Sequence, residues 1–330
     1  MKFDFCIGNP PYQEDDGGQG RSARPVYNVF VEAAQKLTSG ELVMIIPSRW
    51  FVGGKGLDSF REMMLSDHHL RRLVDYENYR DVFPNLGGLA GGACYFAWDP
   101  KYDGKCEVVN CTKTSSNADS RYLDEFSVFI RQNEAVQIVR KICSYEKNFL
   151  DKRVSSRKPF GLPTNYEPRD HGVPCWFIQR IGLKYADKTD VEDSRGLLNR
   201  WKFLLPKAPI AGQTDFSKPV GFYYDGNTRI AKPGECCTES YIVGGSFDTE
   251  NEVINYRKYL YTKLARFLLL QSVVSQDVTR KNFCFVPDLM DYTSPVTDND
   301  LRNRWRITDD EWKYIDSRIS SVEPIAKEMA

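Results

Sequence analysis

Phe3-Asp4-Phe5-Cys6-Ile7-Gly8, followed at once by Asn9-Pro10-Pro11-Tyr12, is the stretch that decides the fold of this chain. A short apolar run that closes on glycine reads as a strand, and the two prolines end it. By average residue usage the tetrapeptide should occur by chance in about one chain per thousand of this length. Each proline holds φ near a single value and offers no N–H, and the residue before the first is pushed out of the helical region. The loop is therefore stiff and rich in acceptors. Asn9 carries a side-chain carbonyl, Pro10 a main-chain carbonyl, and Gly8 permits close backbone approach. Two converging acceptors can hold both hydrogens of one exocyclic amine, so that its nitrogen turns pyramidal and its lone pair is localised. Tyr12 offers a ring face on which a flat base can stack, worth roughly 1–3 kcal/mol. A proline turn after a buried strand is the plainer account of the same four residues.

Working outward, the first part alternates between strand-like and helix-like segments. Phe3 to Gly8 reads as a strand, Tyr27 to Leu37 as a helix, Leu42 to Ile46 as a buried strand and Leu57 to Leu65 as a second helix. Leu70 to Tyr76 and Ala93 to Trp98 read as further strands, with the glycine-rich segment Gly87 to Gly92 between them. This order predicts the second half of a doubly wound sheet, whose ligand crevice lies beyond the carboxyl ends of its strands. Asn9 falls at such an end.

These residues resemble the catalytic motif of amino-group DNA methyltransferases, in particular the TaqI-like adenine-N6 enzymes and the methylase parts of restriction-modification proteins. Pro25 to Ala34 resembles the helix that follows the motif, Gly40 to Phe51 the next strand and its exit, and Leu57 to Leu65 the helix after that. Asp81-Val82-Phe83-Pro84 falls where the family carries a second aromatic against the extruded base. The resemblance implies Asn9, Pro10, Pro11 and Tyr12 as catalytic residues, Tyr12 and Phe83 as the rings that stack on the base, and S-adenosylmethionine as cofactor. In that family the donor is bound mainly by an FxGxG-type loop upstream of the motif. Only eight residues precede Asn9 here, and Gly53-Gly54-Lys55-Gly56 and Gly87 to Gly92 have neither the spacing nor the following helix of a phosphate loop. The donor site is thus expected to be incomplete. The chain reads as the C-terminal part of an adenine-N6 methyltransferase lacking its N-terminal donor-binding half, and inactive alone. The alternative is a non-catalytic DNA-binding or specificity subunit of a restriction-modification system. Without a strand beside it, the first strand is open to self-association or to a partner subunit.

Composition narrows the class. A chain of 330 residues with 41% hydrophobic content can bury one large core or two moderate ones. The nine cysteines show no paired spacing and only three histidines accompany them, so no metal site is expected and reduced thiols in a cytoplasmic protein are the simpler account. No apolar run approaches the ~20 residues that would span a bilayer. The formal net charge is zero, yet residues 131 to 160 concentrate cations, including Arg131, Arg140, Lys141, Arg153, Arg157 and Lys158. Such a stretch could follow a phosphate backbone or form a solvated helix face.

Beyond residue 110 the pattern changes. Cys111 to Ser120 reads as polar and turn-like, Tyr122 to Tyr145 as largely helical, and a boundary is expected between 149 and 150. The part from 150 to 330 reads as an α+β region that resembles the target-recognition domain of the same restriction-modification proteins. Thr249 with Glu252 reads as a capping box opening one long helix with Val253, Tyr256, Leu260, Leu264, Phe267 and Leu268 inward; Thr308 with Glu311 repeats the signal near the end. Residues suited to reading base edges of double-stranded DNA are Gln179, Arg180, Lys184, Gln213, Arg229 and the loop from Gln276 with Arg280 and Lys281, and Arg157 and Lys158 are further candidate DNA contacts.

Overall fold

The computed structural model describes residues 2–14, 24–86, 89, 91–211, 213, 218–224, 226–273 and 277–322. Two compact units emerge, 1–136 and 137–330, the division falling inside a helix.

The first unit carries β1 (Phe3–Gly8), α1 (Tyr27–Leu37), β2 (Thr38–Pro47), α2 (Asp58–Ser66), β3 (Leu70–Tyr76), β4 (Ala93–Trp98), β5 (Cys106–Cys111), β6 (Ser116–Arg121) and the start of α3 (Asn133–Tyr145). Its six-stranded mixed sheet runs β1-β2-β4-β3-β5-β6, with β1 parallel to β2 and β3 parallel to β5. β4 lies antiparallel between β2 and β3. The two crossovers through α1 and α2 place both helices on one face, because right-twisted strands feed right-handed connections. Tyr27, Val31 and Ala34 of α1 and Phe60, Met64 and Leu65 of α2 share one core with Leu42, Met44, Ile46, Phe96 and Leu73. β1 contributes only Cys6 to that core. Its other face is bare: Phe5 and Ile7 are 73% and 83% exposed, on the side that faces away from both helices. Gly40 is required where β2 passes β1, since a Cβ there would collide with the Asp4 carbonyl oxygen.

The α/β expectation holds, and the alternation through Trp98 was legible element by element. Two expectations beyond it are corrected. Cys111 to Ser120 is not a plain turn: β5 and β6 form a hairpin, and β6 reads as polar because it is an edge strand with one wet face. The helix expected from Tyr122 begins only at Asn133. There the Asn133 amide N–H donates to Asn110 Oδ1 at 2.8 Å and its side-chain amide donates to the Val108 and Asn117 carbonyls, tying the helix start to the sheet.

The second unit contains the rest of α3, then β7 (Val173–Trp176), β8 (Leu183–Ala186), β9 (Trp201–Pro206), β10 (Arg229–Ala231), β11 (Cys236–Cys237), β12 (Tyr241–Phe247), α4 (Glu250–Tyr261), α5 (Lys263–Leu270), α6 (Asp298–Arg304) and α7 (Asp309–Arg318). Two three-stranded sheets run β10-β9-β12 and β11-β7-β8. Both capping boxes form as read from the sequence, at Thr249 and at Thr308. The long helix is broken in two. Thr262 leaves the helical region at ψ 150° and its hydroxyl accepts from the Ala265 N–H, opening α5; a β-branched residue that can cap is well suited to that break. Lys202 of β9 is fully buried, and its ammonium donates to the carbonyls of Leu198, Arg200 and Lys232. Burial pulls its pKa down to about 8.

Glu146 gives this unit a pH dependence. Burial alone would raise its carboxyl, but bonds from Arg304 Nε at 2.6 Å and Trp305 Nε1 at 2.8 Å, with the Arg304 charge, outweigh burial and hold it below the ordinary glutamate range. A carboxyl depressed by folding stabilises above its unfolded pKa of about 4.5 and loses that contribution as pH falls through the folded value. Glu146→Gln should therefore lower stability by about 1–3 kcal/mol near neutral pH, and the gap from the parent should close progressively on acidification below that value. Denaturant melts of both proteins from pH 7 to pH 3 check this; a constant gap would contradict it.

Candidate functional site

β1, β2, β3 and β5 point the same way, so the segments that leave them gather at one edge of the first sheet. Asn9 to Tyr12 leaves β1, Ser48 to Phe51 leaves β2, and Tyr79 to Phe83 follows β3. Asn9 is exposed, Pro10 is buried, Pro11 is exposed and Tyr12 is half-buried. The end of the motif is clipped to the start of α1: the Val26 N–H donates to the Tyr12 carbonyl, and the Glu14 N–H to the Arg24 carbonyl. This clip holds Tyr12 in place while leaving the Asn9 amide facing water. Burial raises the Tyr12 hydroxyl above its ordinary value, and neighbouring Cys94 adds to the rise. Tyr12 is a neutral ring at any physiological pH.

Around this loop the interior is unusually polar. The Tyr12 hydroxyl, Asn28 Oδ1 and Arg49 Nε are buried with no hydrogen-bond partner among the described residues. Unpaired buried polar atoms are uncommon in native proteins, and the Tyr27 hydroxyl and Trp50 Nε1 join these three. Beside them Asp75, 2% exposed at the end of β3, accepts from the Ser48 hydroxyl at 2.8 Å and from Arg131 Nε and Nη2 at 2.6 and 2.8 Å. Burial by itself would pull the Arg131 guanidinium down, and the Asp75 charge and hydrogen bonds more than reverse it. The Ser48 N–H donates to the Gly92 carbonyl, and Gly92, at φ 89°, runs so close to the Tyr76 carbonyl that a side chain would collide there. Cys94, enclosed by these groups, has its thiol pushed up to about 12 by burial and by the Asp75 charge. Four segments of the edge are thereby locked together. Sequence reading missed this network; the available signal was an aspartate closing the otherwise apolar end of Leu70 to Tyr76.

Phe83 is half-buried in its loop, its N–H donating to the Tyr79 carbonyl. It shares the edge with Tyr12, and three strand spacings separate β1 from β3, about 14 Å. Of the glycine-rich segment, Gly87, Gly88 and Ala90 lie outside the described residues. The donor that the sequence resemblance implies finds no cradle of its own among the described residues. Gly53 and Gly54 close on the Asp58 carboxylate, Gly91 packs on Arg49, and Gly92 is taken by Tyr76. These residues do not by themselves fit S-adenosylmethionine.

The residues expected to read DNA lie in the second unit, and several converge. Arg157 pairs with Glu239 at 3.4 Å and Asp277 at 2.9 Å, Lys158 approaches Glu239 at 3.9 Å, and Lys207 approaches Asp277 at 3.7 Å. The turn that carries exposed Arg280 and Lys281 follows directly, with the Val278 N–H on the Lys207 carbonyl. Gln179 and Arg180 are exposed at the tip of the β7-β8 hairpin, and Lys184 is exposed on β8. Arg229 instead lies over the Trp176 ring at 5.5 Å, and Gln276 is outside the described residues. The cation-rich stretch 131–160 is not a continuous track. Arg131 is spent on Asp75, Lys141 on Glu311 and Arg153 on Asp288, because a partly buried cation needs a paired anion. The nine cysteines are all free thiols, no His, Cys, Asp or Glu cluster among the described residues could hold a metal ion, and no described helix is long and apolar enough to cross a membrane.

Residues 1–83 match the family described as Eco57I restriction-modification methylase. An "Uncharacterized adenine-specific methylase" of Mycoplasma pneumoniae (strain ATCC 29342 / M129 / Subtype 1) is 34% identical over 127 residues, 38% of this chain and 29% of that protein. Among solved structures, the type IIG restriction endonuclease BpuSI covers 88% of this chain and 44% of its own at 12% identity and TM-score 0.38. The type IIL restriction-modification enzyme MmeI covers 94% and 54% at 9% identity and TM-score 0.35. The chain spans less than two thirds of the length of each of these relatives. From β1 to Phe83 it is similar to the Eco57I restriction-modification methylases, and over 127 residues it is similar to that mycoplasma methylase.

Proposed function

We propose that the chain is part of a site-specific DNA methyltransferase that modifies adenine at N6. The observation that carries the reading is the Asn9-Pro10-Pro11-Tyr12 loop at the carboxyl edge of the first sheet, with Asn9 presented to solvent from a clipped, stiff backbone. The target base is drawn from the duplex, because its amine is otherwise shielded in the stack. Tyr12 supports its face, and Phe83 approaches from the loop after β3 once the base is seated. Asn9 Oδ1 and the Pro10 carbonyl accept the two amine hydrogens, which turns the nitrogen lone pair out of the ring plane. S-adenosylmethionine supplies the electrophilic methyl group when bound. In this reading Asn9, Pro10, Tyr12 and Phe83 serve the base side of the reaction only.

We further propose that the functional division lies at 149/150, with catalysis on residues 1–149 and target recognition on 150–330. Arg157, Lys158, Gln179, Arg180, Lys184, Arg280 and Lys281 then contact double-stranded DNA. Methyl transfer to duplex DNA by the full-length protein, followed with labelled donor and mapped to the modified base, tests this. Transfer to adenine N6 supports the reading; sequence-specific binding without transfer favours a specificity subunit instead.

The bare face of β1 calls for a partner. An edge strand with unpaired backbone groups and two well-exposed apolar side chains favours pairing with a further segment or subunit. In this 330-residue chain, Phe5→Lys together with Ile7→Lys should shift a larger assembly toward the chain's own 38.0 kDa while leaving its circular dichroism unchanged. Sedimentation velocity decides. A parent that already sediments as a single 38.0 kDa species removes the partner.

A further inference from the structure

The β7-β8 hairpin ends in a tight turn with an unusual surface. The Ile181 N–H donates to the Ile178 carbonyl at 2.8 Å and the Phe177 N–H to the Gly182 carbonyl at 2.9 Å, so Gln179 and Arg180 occupy the two tip positions. Both are exposed. The shoulders are isoleucines, Ile178 at 41% and Ile181 at 38% exposed, and on β8 Leu183 and Tyr185 are 43% and 40% exposed. β8 is the outer strand of its sheet, and on that side the Arg169 N–H donates to the Tyr185 carbonyl near its end, while the part nearer the turn belongs to no further named strand among the described residues. Below the tip the hairpin is firmly anchored, with Cys175, Phe177 and Ala186 fully buried in the core. From Val173 to Ala186 the only charges are Arg180 and Lys184, and no carboxylate interrupts them.

Behind the tip is an open groove of about 480 Å³, walled by Ile178, Pro206, Ala208, Ala211 and Tyr223, with Lys207 on its rim. The Gln179 side chain lies over Gly226, close enough that a Cβ there would touch its amide nitrogen at 3.2 Å. The Arg157, Lys158 and Lys207 cluster borders the same region through Glu239 and its neighbour Ser240, which lines the groove. Apolar shoulders on a two-stranded ribbon, tipped by a glutamine and an arginine and bordered by Arg157, Lys158 and Lys207 with their partners Glu239 and Asp277, suit the base edges of a duplex. A ribbon of this width enters a major groove about 12 Å wide, where arginine addresses guanine, glutamine addresses adenine, and apolar side chains meet thymine methyl groups.

We infer that the Ile178–Ile181 turn is a major-groove reader of duplex DNA, with Gln179 and Arg180 on base edges and Ile178 and Ile181 on thymine methyl groups. The inference rests on the recognition role proposed above and gives it a specific address. The test is selection by the full-length protein from a pool of duplex oligonucleotides with a random centre, repeated with Arg180→Ala, Gln179→Ala and the Ile178→Ser, Ile181→Ser double variant. Each tip variant is expected to lose base preference at one or two positions and to weaken binding to the parent's selected duplex roughly 5- to 100-fold, with little change on unselected DNA. The double variant is expected to become indifferent to replacement of thymine by uracil in the selected duplex, a replacement that weakens the parent. Variants that select the parent's sequence with the parent's affinity overturn the inference alone, as does uniform weakening across all sequences, which marks a phosphate contact. A parent that selects no sequence overturns both this inference and the recognition role.

Discussion

Asn9→Ala is expected to lower methyl transfer to duplex DNA by about 100- to 1,000-fold in kcat, the loss typical of removing one preorganised hydrogen-bond partner of a transition state. Affinity for the duplex should barely change, because in the proposed mechanism Asn9 meets only the extruded base while backbone and groove contacts come from elsewhere. The physical origin is specific. An aromatic amine is a poor nucleophile until both hydrogens are accepted out of the ring plane, and alanine leaves the Pro10 carbonyl to do this alone. Nothing else in the fold should suffer, since the Asn9 side chain is exposed at the end of β1. Asn9→Asp keeps an acceptor and should retain more activity than alanine. Single-turnover transfer measured with the full-length protein checks the order parent, Asp, Ala. Undiminished transfer by the alanine variant would remove the acceptor-pair mechanism outright.

The second large effect is on stability. Asp75→Ala would leave the Arg131 guanidinium buried without its anion and the Ser48 hydroxyl without its acceptor. Breaking one side of a buried pair costs about 3–5 kcal/mol, because the surviving charge has lost water and gained nothing. The damage should spread along the edge, since Asp75 joins the exits of β2 and β3 to Arg131, and Ser48 in turn holds Gly92. Replacing both partners, as in Asp75→Ala with Arg131→Met, should recover much of the loss, because no charge is then stranded. Urea denaturation of the parent and both variants measures this. Additive losses in the double variant would show that the two side chains act independently and that the ion pair is not what holds the edge.

Sequence reading succeeded where a local rule governs. The alternation from Phe3 to Trp98 is carried by apolar runs and by turn residues whose preferences survive in any context, and the capping boxes at Thr249 and Thr308 are satisfied within four residues. It failed where distant neighbours decide. Ser116 to Arg121 has too little apolar content to announce a strand, and becomes one because β5 offers it a hydrogen-bonding edge. Tyr122 to Gln132 carries apolar residues at helix-like spacing, yet Arg131 is drawn to Asp75, 56 positions earlier in the chain. Thr262 sits within a helical pattern and ends one helix by opening the next.

The candidate site divides in the same way. The position and stiffness of the Asn9 to Tyr12 loop were readable because proline stereochemistry is a local property of four consecutive positions. The network behind it was not, since nothing in a linear chain indicates that Ser48, Asp75, Gly92 and Arg131 meet. The cations between residues 131 and 160 look alike in sequence; packing alone decides that Arg131 and Arg153 are spent on buried carboxylates while Arg157 and Lys158 remain near the surface beside Arg280 and Lys281. For this protein the sequence by itself determined the α/β order, the strand that ends in the motif, and the chemical character of the loop. The tertiary structure alone decided which polar groups support that loop, which face of β1 lies bare, and where the exposed cations gather. Backbone preference is set by each residue and its neighbours, whereas burial and charge pairing depend on segments that only folding brings together.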